Sequence, residues 1–135
     1  MRLGDVRHPD RLRFGKPLDG VRVLALEQMQ ALPYATQLLA HLGADVVKVE
    51  PPETGDTGRA SIPALVDEDG RRVGATYLRN NLGKRSLAID LKQEEGRALV
   101  RRLIPHFDVV AENYRPGVLA RFGLDYRSVA ALAPR

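Results

Sequence analysis

The sequence predicts an α/β chain built on an open parallel sheet. Three observations carry this. "VRVLALE" (Val21–Glu27) and "ADVVKVE" (Ala44–Glu50) are short runs rich in β-branched and aliphatic residues. Between them "ALPYATQLLAHLGA" has the length and start-stop signals of a three-turn helix. Two further strand-like runs, "SLAIDL" (Ser86–Leu91) and "DVVAEN" (Asp108–Asn113), flank a second helical segment. A strand, a helix and a strand joined by short links make a crossover unit, which pairs its strands in parallel and covers them with helices.

Each element has a local reason. Pro33 suits the first turn of the first helix and Gly43 its end. Tyr34, Leu38, Leu39 and Leu42 recur at helical spacing and predict one apolar face. "PPETGDTGR" (Pro51–Arg59) breaks all regularity, and the segment through Arg85 is rich in turn signals. Within it "DEDGRR" reads as a tight turn joining two short edge strands. So long a connection in a compact domain points to a functional or mobile segment. In "KQEEGRALVRRLIPHF" the acids come first and the arginines last, as the helix dipole favours. Pro116 opens a short helix, and "LDYRSVAALAPR" opens another. Residues 1–16 read as a basic lead-in and residues 17–135 as one unit of fold.

Composition narrows the function. The 135 residues are 44% hydrophobic, enough for one modest core. There is no cysteine, which excludes disulfides, thiolate metal sites and a cysteine nucleophile. The three histidines (His8, His41, His106) have no metal-ligand spacing, and His41 and His106 read as surface residues. No apolar run approaches the roughly 20 residues that span a bilayer, and the first residues lack the apolar segment of a signal peptide. A soluble, cytoplasmic protein without membrane association is expected. The net charge is +4, but 21 basic residues are interleaved with 17 acids and only 5% of residues are aromatic. That offers no stacking platform for single-stranded nucleic acid, so no nucleic-acid partner is expected. A small anionic ligand, such as a phosphorylated cofactor, suits the balance better.

In open α/β sheets ligands bind beyond the carboxyl ends of the strands. That rule selects Glu27–Ala31, Glu50–Arg59, Leu91–Lys92 and Glu112–Arg115. Asn113 and Tyr114 can hydrogen-bond and stack on a flat ring, and nearby arginines can hold phosphates. No G-x-G-x-x-G follows the first strand, and nothing matches a P-loop, which argues against a dinucleotide or nucleoside triphosphate. Glu27, Glu50 and Glu112 each end a strand and are candidate general acids or bases. The commoner role for such acids is an ion pair with a neighbouring arginine. "NNLGKRS" (Asn80–Ser86), taken alone, reads as a surface turn.

Several stretches together resemble the family III coenzyme A transferases: "PLDGVRVLALE", "LPYATQLLAHLGADVVKVEPPETGD", "NNLGKRSLAIDLK", "EEGRALVRRLI", "DVVAENYRPGVLARFGLDY" and "ALAPR". They span residues 17–135, and "GADVVKVEPP…GD", "KRSLAIDLK" and "ENYRPG" are the most specific. The resemblance implies a Rossmann-like open parallel sheet, incomplete within this chain. It implies transfer of coenzyme A from an acyl-CoA donor to a carboxylic acid acceptor, with coenzyme A as substrate, no tightly bound cofactor and no metal. By resemblance Met29, Ala31, Ile89, Lys92, Asn113, Tyr114, Arg121 and Phe122 lie against coenzyme A, and Gln30 orients the reacting acyl group. Glu112 is read as structural, paired with Arg115.

In that family an aspartate attacks the thioester, giving a mixed anhydride and then an enzyme-bound CoA thioester. No aspartate of this chain matches it, and the resemblance puts it beyond Arg135. The chain is therefore expected to be the N-terminal third of an intertwined homodimer, and inactive alone. The α-methylacyl-CoA racemases share the scaffold and form the close alternative. Their strand end tends to carry Gly where this chain has Asn113, and their segment before the third strand tends to be shorter. A non-catalytic truncated fragment is the distant alternative.

Overall fold

The computed structural model describes residues 15–134. The expected basic lead-in falls outside them, save for Gly15 and Lys16. Four strands make a parallel sheet: β1 (Arg22–Leu26), β2 (Asp45–Glu50), β5 (Arg85–Ala88) and β6 (Val109–Glu112), in the order β5-β2-β1-β6. Val23 pairs with Val46 on one side and with Val109 on the other. The chain thus enters the sheet at its centre, builds outward through β2 to β5, and returns to the opposite flank as β6. Between β1 and β6 the direction of winding reverses, which opens a crevice at their carboxyl ends.

Alternation along the strands sorts the core into two faces. Leu24 and Leu26 of β1 join Val47 and Val49 of β2 on one face, packed with Val100, Ile104, Leu119 and Leu124. These come from α3 (Glu94–Leu103), the 3-10 turn after it, and α4 (Val118–Arg121) with the residues that follow it. Val23, Ala25 and Val46 point to the other face, against Leu39 and Ala40 of α1 (Ala31–His41). Four of the five β1 residues are buried, as are five of the six in β2. Doubly covered parallel strands require this, which explains their nearly unbroken apolar sequence. Gly43 ends α1 at φ +111°, where a Cβ would lie 2.5 Å from Asp19 Oδ1.

Three expectations need correction. Most of the apolar stripe of α1 turns outward: Tyr34, Leu38 and Leu42 are 52%, 44% and 46% exposed, and of the four only Leu39 packs on the sheet. The helix instead buries Pro33, Thr36 and Gln37, because buried polar groups at the sheet end meet it there. The "DEDGRR" turn does join two antiparallel strands, β3 (Ala64–Val66) and β4 (Arg72–Gly74), but they form a sheet of their own rather than an edge. The long connection also holds an unforeseen helix, α2 (Ala75–Asn80), and a 3-10 turn over Thr57–Ala60. A last short helix, α5 (Tyr126–Val129), closes the sequence of elements. Among the described residues no helix is long and apolar enough to cross a membrane.

Candidate functional site

The carboxyl ends of all four parallel strands meet at one cavity of about 420 Å³. Gln28 follows β1. Val49 to Thr54 bring the end of β2 and the "PPET" turn. Ile89 to Lys92 follow β5, and Tyr114 follows β6. Val118 and Phe122 close one side from α4. Four of the expected site residues therefore line one wall system: Ile89, Lys92, Tyr114 and Phe122. The expected strand Ser86–Leu91 runs three residues past the observed end of β5. Because the strand stops at Ala88, Ile89 to Lys92 are free to curve into the cavity.

The other expected residues do not line this cavity and follow or precede residues that do. Met29, Gln30 and Ala31 form the exposed turn that leads into α1. Arg121 is exposed beside Phe122, and neither it nor Lys92 has an ion-pair partner among the described residues. The Asn113 amide spends one lone pair and one N–H on the Gln28 backbone. Its Oδ1 accepts the Gln28 N–H at 2.9 Å and its Nδ2 donates to the Gln28 carbonyl at 3.0 Å. Burial pushes the Tyr114 phenol above its ordinary value, so at neutral pH it is an uncharged ring edge.

Strand-end acids turn out to be locked rather than reactive. Glu50 accepts from Arg59 Nε (2.8 Å) and Nη2 (3.0 Å), Tyr77 Oη (2.9 Å), Ser86 Oγ (2.8 Å) and the Asp56 N–H (2.8 Å). Burial alone would raise its pKa; these five donors outweigh it and hold the carboxyl at about 2. A carboxylate so satisfied has no lone pair for a proton in transit. Tyr77 is pushed up to about 12 by burial and by its bond to Glu50. The Arg59 guanidinium also lies 3.7 Å from the Tyr77 ring centroid.

Glu27 is wholly buried and paired not with an arginine but with lysines: Lys84 Nζ at 2.6 Å and Lys48 Nζ at 3.6 Å, with Thr36 Oγ1 donating at 2.7 Å. Lys48 also meets Asp56 Oδ2 at 2.5 Å and Asn81 Oδ1 at 3.1 Å. Burial is the largest influence on Lys84 and lowers its pKa; Glu27 opposes it. "NNLGKRS" is therefore no surface turn, since its lysine is the buried partner of Glu27. Glu112 does not pair with Arg115 among the described residues; its Oε2 accepts the Tyr114 N–H at 2.8 Å.

Reasoning from sequence passed over Lys48, Asp56, Tyr77 and Lys84. One signal was there. Lys48 sits inside the apolar run "VVKVE", in phase with Val46, so a buried strand must carry its ammonium inward and supply acids for it. Among the described residues no group of three or more His, Asp or Glu side chains could hold a metal ion.

Comparison with known proteins agrees with this arrangement. The family model described as CoA-transferase family III matches residues 18–135. The succinate–glutarate CoA-transferase of Agrobacterium fabrum is 50% identical over 121 residues, covering 88% of this chain and 30% of its own length. A formyl-CoA:oxalate CoA-transferase of Rhodopseudomonas palustris is 41% identical, covering 89% of this chain and 27% of its own. The crystal structure of a CaiB/BaiF family protein from Brucella suis superposes with a TM-score of 0.80 at 47% identity, over 87% of this chain and 31% of the other. The chain thus spans about three-tenths of the length of the relatives it matches.

Proposed function

The chain belongs to CoA-transferase family III, and from that premise we propose that its full-length gene product moves coenzyme A from an acyl-CoA donor to a carboxylic acid acceptor. The observation that carries this is the cavity at the four strand ends, with apolar and aromatic walls and uncommitted cations on and beside it. Ile89, Tyr114 and Phe122 supply surface for a planar adenine, and Lys92 and Arg121 supply charge for its phosphates. This donor set fits coenzyme A. Met29 and Ala31 flank the pantetheine arm, and the Gln30 amide orients the acyl carbonyl. Asn113 acts by fixing the floor of the site through Gln28 rather than by contacting the ligand.

The chemistry calls for a carboxylate that can attack a thioester. By resemblance to the family, that carboxylate is an aspartate outside these 135 residues; Glu27 and Glu50 are held by buried donors and do not supply it. Its attack on the thioester carbon expels the CoA thiolate and leaves an acyl–aspartyl anhydride. The thiolate then attacks the aspartyl carbonyl, which releases the donor acid and leaves an aspartyl–CoA thioester. The acceptor carboxylate takes that carbonyl in turn, and the freed thiolate attacks the new anhydride at the acceptor acyl carbon, restoring the aspartate. An intertwined homodimer completes the sheet and the site.

The test is direct. The full-length gene product is incubated with succinyl-CoA and glutarate, and with formyl-CoA and oxalate, and the CoA esters are identified by mass. Appearance of the acceptor's CoA ester supports the proposal. Uptake of deuterium at the α-carbon of a 2-methylacyl-CoA, with no CoA passed between acids, would establish the racemase chemistry instead.

A further inference from the structure

We infer that Asp56, held by Lys48, is a positioning residue for acyl transfer that acts by fixing the turn carrying Gln30; this rests on the role proposed for Gln30. Met29 adopts φ +68°, a left-handed conformation that a side chain with a Cβ resists. No side chain caps α1 at Gln30. The turn is therefore held through its backbone from two sides. Asn113 grips Gln28 from β6. From the other side the Asp56 carboxylate accepts the Met29 N–H, at 3.0 Å through Oδ1 and 3.2 Å through Oδ2.

Asp56 is itself pinned at three further points. Lys48 Nζ lies 2.5 Å from Oδ2, the Gly58 N–H donates to Oδ1 at 2.6 Å, and the Asp56 N–H donates to Glu50 Oε2 at 2.8 Å. Its residue is 1% exposed, as is Lys48. Glu50 and Gln28 line the cavity proposed for coenzyme A. A line of hydrogen bonds thus runs from the cavity wall at Glu50, through Asp56, to the Met29 amide one residue before Gln30. The ammonium of Lys48 fixes the rotamer on which that last bond depends. An aspartate serving only to cap the Thr57–Ala60 turn would need the Gly58 bond alone.

A double-mutant cycle with Gln30 separates positioning from mere support. In the full-length gene product, Asp56→Asn should lower kcat about 10- to 100-fold and change KM for the acyl-CoA less than about threefold. In a Gln30→Ala background the same substitution should cost under about threefold in kcat, because the two act through one contact. If Gln30→Ala is impaired and the two effects multiply in full, the positioning role is overturned while the role of Gln30 stands. If Gln30→Ala alone leaves kcat intact, the reading of Gln30 fails first. Hydrogen exchange decides the structural link without any assay. Asp56→Asn should speed exchange at the Met29 amide and leave those of Leu24 and Ala25 unchanged, and an unaltered Met29 amide overturns the inference. Should Asp56→Asn not fold, the charge-neutral pair Lys48→Met/Asp56→Asn leaves no lone member of this pair buried and carries the same readouts.

Discussion

Asn113 clamps Gln28 with both ends of its amide, spanning 85 residues of sequence at the point where the sheet reverses its winding. The asparagine ties β6 to the turn after β1. That changes what its substitution does. Asn113→Ala should lower unfolding free energy by about 1 kcal/mol, through two lost hydrogen bonds whose backbone partners water can reach. Urea denaturation of the full-length gene product measures it. Weakened CoA binding with unchanged stability would contradict the clamp.

Glu50 makes stability depend on acid. Its carboxyl ordinarily titrates at 4.5 and does so at about 2 in the fold. A lowered pKa stabilises the folded state above the ordinary value, and the contribution is lost as pH falls from 4.5 through 2. The size is about 3 kcal/mol for this nearly buried group. Glu50→Gln should flatten the acid limb of a thermal-midpoint profile between pH 4.5 and 2. An acid limb of unchanged slope would dismiss Glu50 as its source. Tyr77 has the opposite sign: its contribution is present below pH 10 and lost as pH rises through about 12.

Removing one member of the Glu27–Lys84 pair should be costly. Lys84→Met leaves the wholly buried Glu27 with the Thr36 hydroxyl and only the longer Lys48 ion pair, and about 3–5 kcal/mol of stability should go. Lys84→Met/Glu27→Gln should recover part of it. Chemical denaturation curves compared at constant m-value decide the point, and a double variant weaker than the single would refute the pairing.

Arg121 should matter to the ligand and not to the fold. It is exposed, and Arg121→Ala should weaken CoA by about 1.5–3 kcal/mol through one lost charge-assisted bond to phosphate. Calorimetry with coenzyme A reads the affinity, with the thermal midpoint as control. Unchanged affinity would remove Arg121 from the site.

Residues 1–135 expressed alone should self-associate and show no CoA transfer. The outward face of α1 presents Tyr34, Leu38 and Leu42, and edge strand β6 presents Val109 and Val110. Apolar faces and open strand edges of this kind drive association. Sedimentation should give heterogeneous species, and Leu38→Glu should reduce them. A monodisperse monomer that folds cooperatively and turns over acyl-CoA would overthrow this expectation.

Sequence by itself determined the parallel α/β layout, because short apolar strands, a helix bounded by Pro33 and Gly43, and short links allow little else. It also pointed to the strand ends, where the cavity lies, since they are visible as the points where apolar runs stop. Tyr114, Phe122, Ile89 and Lys92 were legible in that way, helped by motif resemblance. Tertiary structure decided the rest. Whether Glu27 and Glu50 react or merely pair depends on Arg59 in the loop after β2 and on Lys84, Tyr77 and Ser86, which come from more distant segments and meet them only in the fold. The inward face of α1 was equally hidden. Helical spacing displays an apolar stripe, of which Leu39 packs on the sheet, but Thr36 turns to Glu27 and Gln37 to the Leu82 N–H, because those groups need partners. Leaving buried polar groups unpaired costs more than leaving three apolar side chains exposed.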